Sequence, residues 1–383
     1  MIENSFQYYK DVLKKDPYHE ESLSNLAQCY LKEGDESSAI KIFREYSGPT
    51  IDVRFSDFIY SLQLQNRYKE AFELHDELIH SNSGYDRCPR YFDYLKKLKK
   101  FEQTDLSKRL LVCGVDPIGD QIMYSNFFHD LLQITDNITA IVLPRLVKPL
   151  SRIFPSINFV DDDWMICSDN FDCVALMSLL PRFGINTNNK RNKNPILNPT
   201  HDIKNEISSK NKLTIGFAWC STRPNGEDGN YIKNHKSIDL NEMLPLFRLR
   251  NTEFINLQHG DFVSDLNNFA QEHNLPNLIT IEDLDTTEDI EGIINTVSAC
   301  DIIITPSNTL AHIAGALHKK TYTILPHIDS PARLWFWHQS NEGKNIWYPT
   351  INTYEQIKEG NWSHPIQQLV IDLKSEYEIL NSF

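Results

Sequence analysis

The chain has 383 residues and carries 38 Lys plus Arg against 52 Asp plus Glu, a formal charge of −14. That length predicts two or three domains, and the charge argues against a surface adapted as a whole to nucleic acid or anionic lipid, leaving room for a local basic pocket. A hydrophobic content of 40% with 11% aromatics excludes a disordered chain.

The first quarter repeats itself at a spacing of 32 residues: Leu26, Tyr30, Gly34 and Ala39 align with Phe58, Leu62, Asn66 and Ala71. Large apolar residues one helical turn apart, a turn residue that tolerates positive φ and a small residue on a second helix predict helical hairpins. A helix ahead of the first copy (Phe6, Tyr9, Leu13) should end at Asp16-Pro17. This block, residues 1–95, reads equally as a cap docked on the next domain and as a groove for a protein partner.

After the charged stretch 94–108 the texture changes to short β-rich runs alternating with helical patterns. Residues 109–114 and 138–143 read as strands, 121–134 as an amphipathic helix and 171–180 as a mixed apolar segment. Residues 184–211 lack apolar periodicity and read as a linker. A second alternating block follows, with strands at 213–218, 253–257, 301–304 and 321–325 and helices near 262–273, 286–299 and 309–318. Two doubly wound parallel-sheet domains are expected, with ligands in the cleft between the carboxyl ends of their strands.

The segment 301–319, DIIITPSNTLAHIAGALHK, is the richest in chemistry. A buried strand runs into Ser307-Asn308-Thr309 and a helix of small residues, so free N–H groups and the positive helix end converge where the strand stops, an arrangement that suits a diphosphate. His312, one turn in, can face the same spot. The same Ser-Asn-Thr is also an ordinary helix N-cap.

SNTLAHIAGAL, with TYTILP, Arg333-x-Trp335-x-Trp337 and Trp347-Tyr348-Pro349, resembles the C-terminal half of bacterial tetratricopeptide-containing glycosyltransferases. These are similar to the ADP-heptose lipopolysaccharide heptosyltransferases of glycosyltransferase family 9 and, more distantly, to O-linked N-acetylglucosamine transferases. Further elements occur in the matching order: Ile118-Gly119-Asp120-Gln121-Ile122, Gly216-x-x-Trp219, His235-Lys236-Ser237-Ile238 and Leu257-Gln258-His259-Gly260-Asp261. The resemblance implies a GT-B fold behind an all-α tetratricopeptide-like block. Its divisions are 1–95 for the repeats, 108–200 for an acceptor-side Rossmann-like domain, 211–365 for a sugar-nucleotide domain and 366–383 for a C-terminal helix or tail.

It further implies a nucleotide-sugar donor held by Gly119, Trp219, Lys236, Ser237, Gln258, His259, Ser307, Asn308, Thr309 and His312, with Asp261 beside them. Lys236 would offset charge on the departing diphosphate, and Asp120 would take the acceptor hydroxyl's proton. Each has a plainer reading: Lys236 as an exposed lysine at a helix start, Asp120 as a first-turn acid. Asp283, Asp285 and Glu288 read as first-turn acids, and Trp335, Trp337, Trp347 and Tyr348 as packing across the domain seam.

Departures from the pattern are Ser221 in place of a glycine, a long polar loop at 224–234, and Asp116-Pro117 ahead of Ile118-Gly119 where a second glycine is frequent. D-x-D spacing occurs at 161–163 and 283–285, the second read as first-turn acids; metal-independent transfer is what the GT-B resemblance implies, so no metal and no cofactor is expected, and His235 and Lys233 are further candidates for the local basic exception. Seven scattered cysteines without a C-x-x-C pair imply neither disulfide framework nor zinc site. The start lacks a signal peptide's apolar region and no apolar run approaches a membrane span, so the expected setting is cytoplasmic, with a protein acceptor engaged by the repeats, no nucleic acid and no membrane span. The competing expectations are a non-catalytic scaffold on a degenerate transferase fold and a sugar-nucleotide epimerase.

Overall fold

Each of the two parallel sheets forms where β-branched runs alternate with helices. The computed structural model describes residues 2–45, 58–59, 62–63, 65, 67–80, 98–101, 108–114, 116–161, 170–181, 194–209, 211–221, 235–260, 262–328, 330, 332–337, 345 and 347–377. Asn66, Lys233, Asp261, the loop 224–234, residues 184–193 of the linker and the Trp335 side chain lie outside the described set.

At the amino end, α1 (Ile2–Lys15), α2 (Glu20–Lys32), α3 (Glu36–Glu45) and α4 (Tyr68–His80) follow in order, with helical residues at 58–59 and 62–63. Gly34 turns the chain between α2 and α3 at φ +80°, and the Asp35 N–H donates to Tyr30 O at 2.9 Å, closing the end of α2. Ala27, Ala39 and Ala71 are fully buried among Leu23, Leu26, Phe43, Phe58 and Leu62, so the small residues sit where the helices approach each other. Helix α4 serves two cores: Ala71 and Leu74 face the other helices, whereas Tyr68 and Phe72 pack into the first α/β domain.

The first sheet is all parallel in the order β1-β5-β2-β3-β4, from β1 (Lys99–Lys100), β2 (Leu110–Cys113), β3 (Ile138–Ile141), β4 (Asn158–Val160) and β5 (Cys173–Leu176). Leu110 pairs with Ile138 on one side and Cys173 on the other. The edge strand β1 lies in the charged stretch 94–108, for which no element is expected, because two residues are too few to show alternation. The helix expected over 121–134 starts earlier and is broken. It becomes α5 (Ile118–Tyr124), a 3₁₀ turn (Ser125–Phe127) and α6 (Phe128–Leu131). The Ser125 hydroxyl donates back to Gln121 O at 2.7 Å and the Asn126 amide to Met123 O at 2.8 Å, tightening the chain there. Helix α7 (Pro144–Ile153) links β3 to β4, with Pro144 in its first turn.

After the short α8 (Lys204–Ile207), the second sheet is also all parallel, in the order β11-β10-β9-β6-β7-β8. Its strands are β6 (Leu213–Phe217), β7 (Thr252–Asn256), β8 (Leu278–Ile279), β9 (Ile302–Pro306), β10 (Thr321–Leu325) and β11 (Ile351–Glu355). Between them run α9 (Leu240–Phe247), α10 (Val263–Glu272), α11 (Ile290–Ala299) and α12 (Thr309–Ala316). The last helix, α13 (Ser363–Glu376), buries Ile366, Leu369 and Leu373 beside Met243 and Phe247. It is therefore part of the second domain's core.

The two domains share one apolar core. Ile122, Met123 and Phe127 of the first lie in the same cluster as Leu310, Ile313, Ala314 and Trp347 of the second, and the Phe127 and Trp347 rings meet edge to face at 5.5 Å. Polar ties fasten the same seam. Ile196 N–H donates to Ala316 O at 2.9 Å, Arg152 pairs with Glu291 at 2.9 Å, and the Arg145 guanidinium donates to Thr287 O.

Candidate active site

In the second sheet the strand order reverses between β6 and β9, and in the first between β2 and β5. Open parallel sheets bind ligands at such points, outside the carboxyl ends of the strands, because diverging crossovers leave a crevice there. The described residues that leave these ends are 114 and 116–117 after β2, 218–221 after β6 and 307–308 after β9. They hold much of the chemistry picked out in the sequence.

After β9 the chain caps α12. Asn308 is the N-cap, its Oδ1 accepting from Ala311 N–H at 3.4 Å and from the Thr305 hydroxyl at 2.9 Å, while its Nδ2 donates to Cys220 O at 3.4 Å. The cap thus ties the loop after β9 to the loop after β6. The Ser307 hydroxyl is buried and accepts from Trp337 Nε1 at 2.7 Å. Thr309, half-buried, opens the helix, where first-turn N–H groups lack partners within the helix and carry the positive end of its dipole.

His312 lies one turn along, buried against Phe336 and Trp337, with ring centroids 5.0 Å away in each case, and its Nδ1 is 3.1 Å from the Tyr348 hydroxyl. Burial, helped by the positive charge of Lys236, pushes its pKa down to about 3, so the ring is neutral in ordinary buffers. Lys236 is itself buried, with 7% of its surface exposed, on a helical turn just ahead of Ser237. Its charge is felt at His312, which sets it near α12. His235 beside it turns to Glu359, with Nδ1 3.1 Å from the carboxylate.

The first domain meets this helix at Gly119. A β-carbon there would lie 2.8 Å from His312 Cδ2 and 3.3 Å from Nε2, so only a glycine lets α5 approach α12 this closely. Asp120 follows directly, half-buried, and its charge acts on Asp116 and on the hydroxyls of Tyr124 and Tyr348. Asp116 precedes α5, with Oδ2 sealed from solvent and without a hydrogen-bond partner among the described residues. Burial first, then the neighbouring Asp120, raises its pKa to about 7. Gln121 braces this turn: its amide donates to Asp116 O at 2.8 Å and its Oε1 accepts from Leu143 N–H at 3.0 Å.

Gly119, Asp120, Lys236, Ser307, Asn308, Thr309 and His312 therefore gather about the α5–α12 seam. Gln258, Ser237 and Trp219 stand behind it. The buried Gln258 amide is a clamp, with Oε1 accepting from the N–H groups of Trp219 (3.0 Å) and Cys220 (2.9 Å) and Nε2 donating to His259 O (3.0 Å). Ser237 Oγ accepts from Ser221 N–H at 3.1 Å. The Trp219 ring packs on Phe217 and Phe262 in the separate core under α9 and α10. His259, half-buried, has Nδ1 3.1 Å from Thr286 O. Asp285 accepts from Thr287 and Glu288 N–H groups as a local cap.

In the sequence Asp116 stands out only as a departure from a glycine-rich turn. The Tyr348 hydroxyl, 36 residues away, is not marked there as the partner of His312. The available signal for Asp116 was its spacing of four from Asp120 across a Pro-initiated helix start. Among the described residues, no group of three or more His, Cys, Asp or Glu side chains is placed to hold a metal ion, and no helix is long and apolar enough to cross a membrane.

Fold and site together define a protein of two doubly wound parallel-sheet domains that share an apolar core along the α5–α12 seam, with Asp116 and Asp120 on the first domain's side and Lys236 on the second's. No family model matches the chain. Protein FlbA of Caulobacter vibrioides is 22% identical over 293 residues, covering 70% of this chain and 46% of FlbA, so the chain spans about half the length of that relative. Among solved structures, E. coli ADP-heptose lipopolysaccharide heptosyltransferase II is 14% identical with a TM-score of 0.45, over 70% of this chain and 98% of its own. A glycosyltransferase of family 9 from Veillonella parvula is 11% identical with a TM-score of 0.49, over 75% of this chain and 100% of its own. The iron-containing dodecameric glycosyltransferase TibC from enterotoxigenic E. coli is 11% identical with a TM-score of 0.41, over 74% and 78%.

Proposed function

We propose that this chain is a glycosyltransferase of GT-B architecture, moving a sugar from a nucleotide donor to an acceptor hydroxyl. The observation that carries this reading is the opposition of charge at the seam: Asp116 and Asp120 on one side, Lys236 and the α12 N-terminus on the other. Sugar transfer needs both. The acceptor oxygen bonds to the anomeric carbon as its proton passes to Asp120, and the carbon–phosphate-oxygen bond breaks with its electron pair leaving on the nucleoside diphosphate. Donors and a cation fixed where that charge develops stabilise it more than they stabilise the bound donor.

In this reading 211–365 holds the donor, 108–200 presents the acceptor and the helices of 1–95 form a tetratricopeptide-like platform for a protein acceptor. The buried Ala27, Ala39 and Ala71 and the turn at Gly34 support that platform. Donor binding uses the helix terminus and Lys236 without a metal. Trp219, Ser237, Gln258 and His259 shape the donor site through the loops they hold. The test is a panel of labelled UDP-, ADP-, GDP- and CMP-sugars, read by hydrolysis, transfer and nucleotide-induced thermal shift. ADP-sugars come first because the SNTLAHIAGAL block resembles that of heptosyltransferases. Turnover of one class is expected; absence of both turnover and thermal shift with all four refutes the proposal.

A further inference from the structure

Transfer to a hydroxyl requires a base strong enough to accept its proton, and an ordinary exposed carboxylate is weak for that work. Here the turn between β2 and α5 carries two carboxyls four residues apart. Gln121 locks its backbone through Asp116 O, and Gly119 presses it against His312 of α12. Asp116 Oδ2 is sealed and, among the described residues, accepts no hydrogen bond, while the residue's own N–H bonds to the carboxyl and offsets only part of the effect of burial. A carboxylate oxygen in that state is costly when charged and comfortable when protonated. Among the described residues, the charge of the pair reaches the Tyr124 hydroxyl of α5 and that of Asp120 reaches the Tyr348 hydroxyl across the seam, while the neutral His312 packs on Gly119 and Lys236 acts on His312.

We propose that Asp116 is a positioning residue for the transfer step: with Asp120 it forms one proton-accepting pair, and its ionised carboxylate sets how tightly Asp120 holds the acceptor's proton. The inference rests on the glycosyltransferase reading. The repulsion is reciprocal. Asp120 raises the proton affinity of Asp116, already high from burial, and Asp116, once charged, raises that of Asp120 by the same interaction. The step balances without a further reactant: the O–H electron pair stays on the acceptor oxygen as it bonds to carbon, the proton moves to an Asp120 oxygen, and the phosphate leaves with the carbon–oxygen pair. The neighbouring charge makes Asp120 a stronger base only above the pH at which Asp116 ionises.

The experiment combines pH–rate profiles with infrared titration of carboxyl groups on the full chain, wild type against Asp116→Asn, Asp116→Glu and Asp120→Asn. In the wild type, kcat should rise with pH through about 7, and a protonated-carboxyl band should vanish over the same range. Asp116→Asn should remove that band, move the rising limb into the ordinary carboxylate range and lower the plateau about three- to tenfold with donor KM unchanged, the loss expected for roughly a one-unit drop in base strength. Asp116→Glu should restore part of both. Asp120→Asn should shift the midpoint of the Asp116 band downward. A wild-type limb and plateau in Asp116→Asn overturn the proposal. So does a titrating band near pH 7 that survives in Asp116→Asn, or one unmoved in Asp120→Asn. If no nucleotide binds the wild type, the transferase reading fails, and the infrared bands alone decide whether the pair exists.

Discussion

Gly119→Ala is the substitution that most directly tests the packing of the two domains at the site. The added carbon would sit 2.8 Å from His312 Cδ2, 3.3 Å from Nε2 and 3.4 Å from Cγ, against the ring over several atoms. His312 has little room to retreat, since Phe336 and Trp337 flank the ring and Tyr348 holds Nδ1. Helix α5 must therefore move away from α12 by something under an ångström. Overpacking of this kind costs about 1–3 kcal/mol, and the better helix propensity of alanine returns at most about 1 kcal/mol. The net expectation is a loss of about 1–2 kcal/mol. Asp120 moves with the helix relative to the α12 terminus, and a displacement approaching 1 Å can lower a rate by about a hundredfold. Denaturant midpoints and steady-state kinetics on the purified variant measure both: lower stability, kcat down at least about tenfold, nucleotide affinity nearly unchanged. A variant as stable and as active as the wild type would refute the close α5–α12 contact.

Other expectations follow from the same groups. The folded-state pKa of Asp116, raised from 3.8 to about 7, favours folding fully at pH below the unfolded value and loses that contribution as pH rises through about 7. The difference amounts to about 4 kcal/mol at the usual ~1.4 kcal/mol per unit. Asp116→Asn should therefore gain stability over the wild type between pH 5 and pH 8, measured as a growing Tm difference; a constant difference would count against a sealed carboxyl. The depressed pKa of His312 acts in the opposite sense, contributing stability above about 6.5 that is lost as pH falls toward about 3, and His312→Gln should flatten the acid limb of a Tm profile. Tyr348→Phe leaves His312 Nδ1 without its partner and should cost about 1–3 kcal/mol, with an unaltered denaturation midpoint as the contrary result. Asp120→Asn should abolish transfer with nucleotide binding retained, and a loss of only a few-fold would argue against its role as base.

Much of the α/β framework was legible. The strand expected at 213–218 is β6 (Leu213–Phe217), that at 321–325 is β10, and those at 253–257 and 301–304 shift by a residue or two. These buried runs are bounded by polar turns, so their ends are written in composition. Helix α7 was not legible and α9 only as a start near Lys236, because Pro149 and Pro245 lie inside them and read as breakers until tertiary packing overrides them. At the site, Ser307-Asn308-Thr309 could be placed from the strand-to-helix transition alone. The raised Asp116 could not. Its state depends on which atoms seal Oδ2, and no spacing encodes that. Gln258 shows the same limit: the groups that occupy its amide come from a loop 38 residues away in sequence, at Cys220.

Calorimetric titration of nucleoside diphosphates and their sugar conjugates into the wild type and Lys236→Ala tests the central claim most directly. Saturable binding of at least one nucleotide by the wild type is expected. Lys236→Ala, with its fold checked by circular dichroism, should bind that nucleotide at least about tenfold more weakly, in line with a charge-assisted phosphate contact. Absence of binding by the wild type, or equal affinity in the two proteins, would contradict a diphosphate site at Lys236 and the α12 terminus.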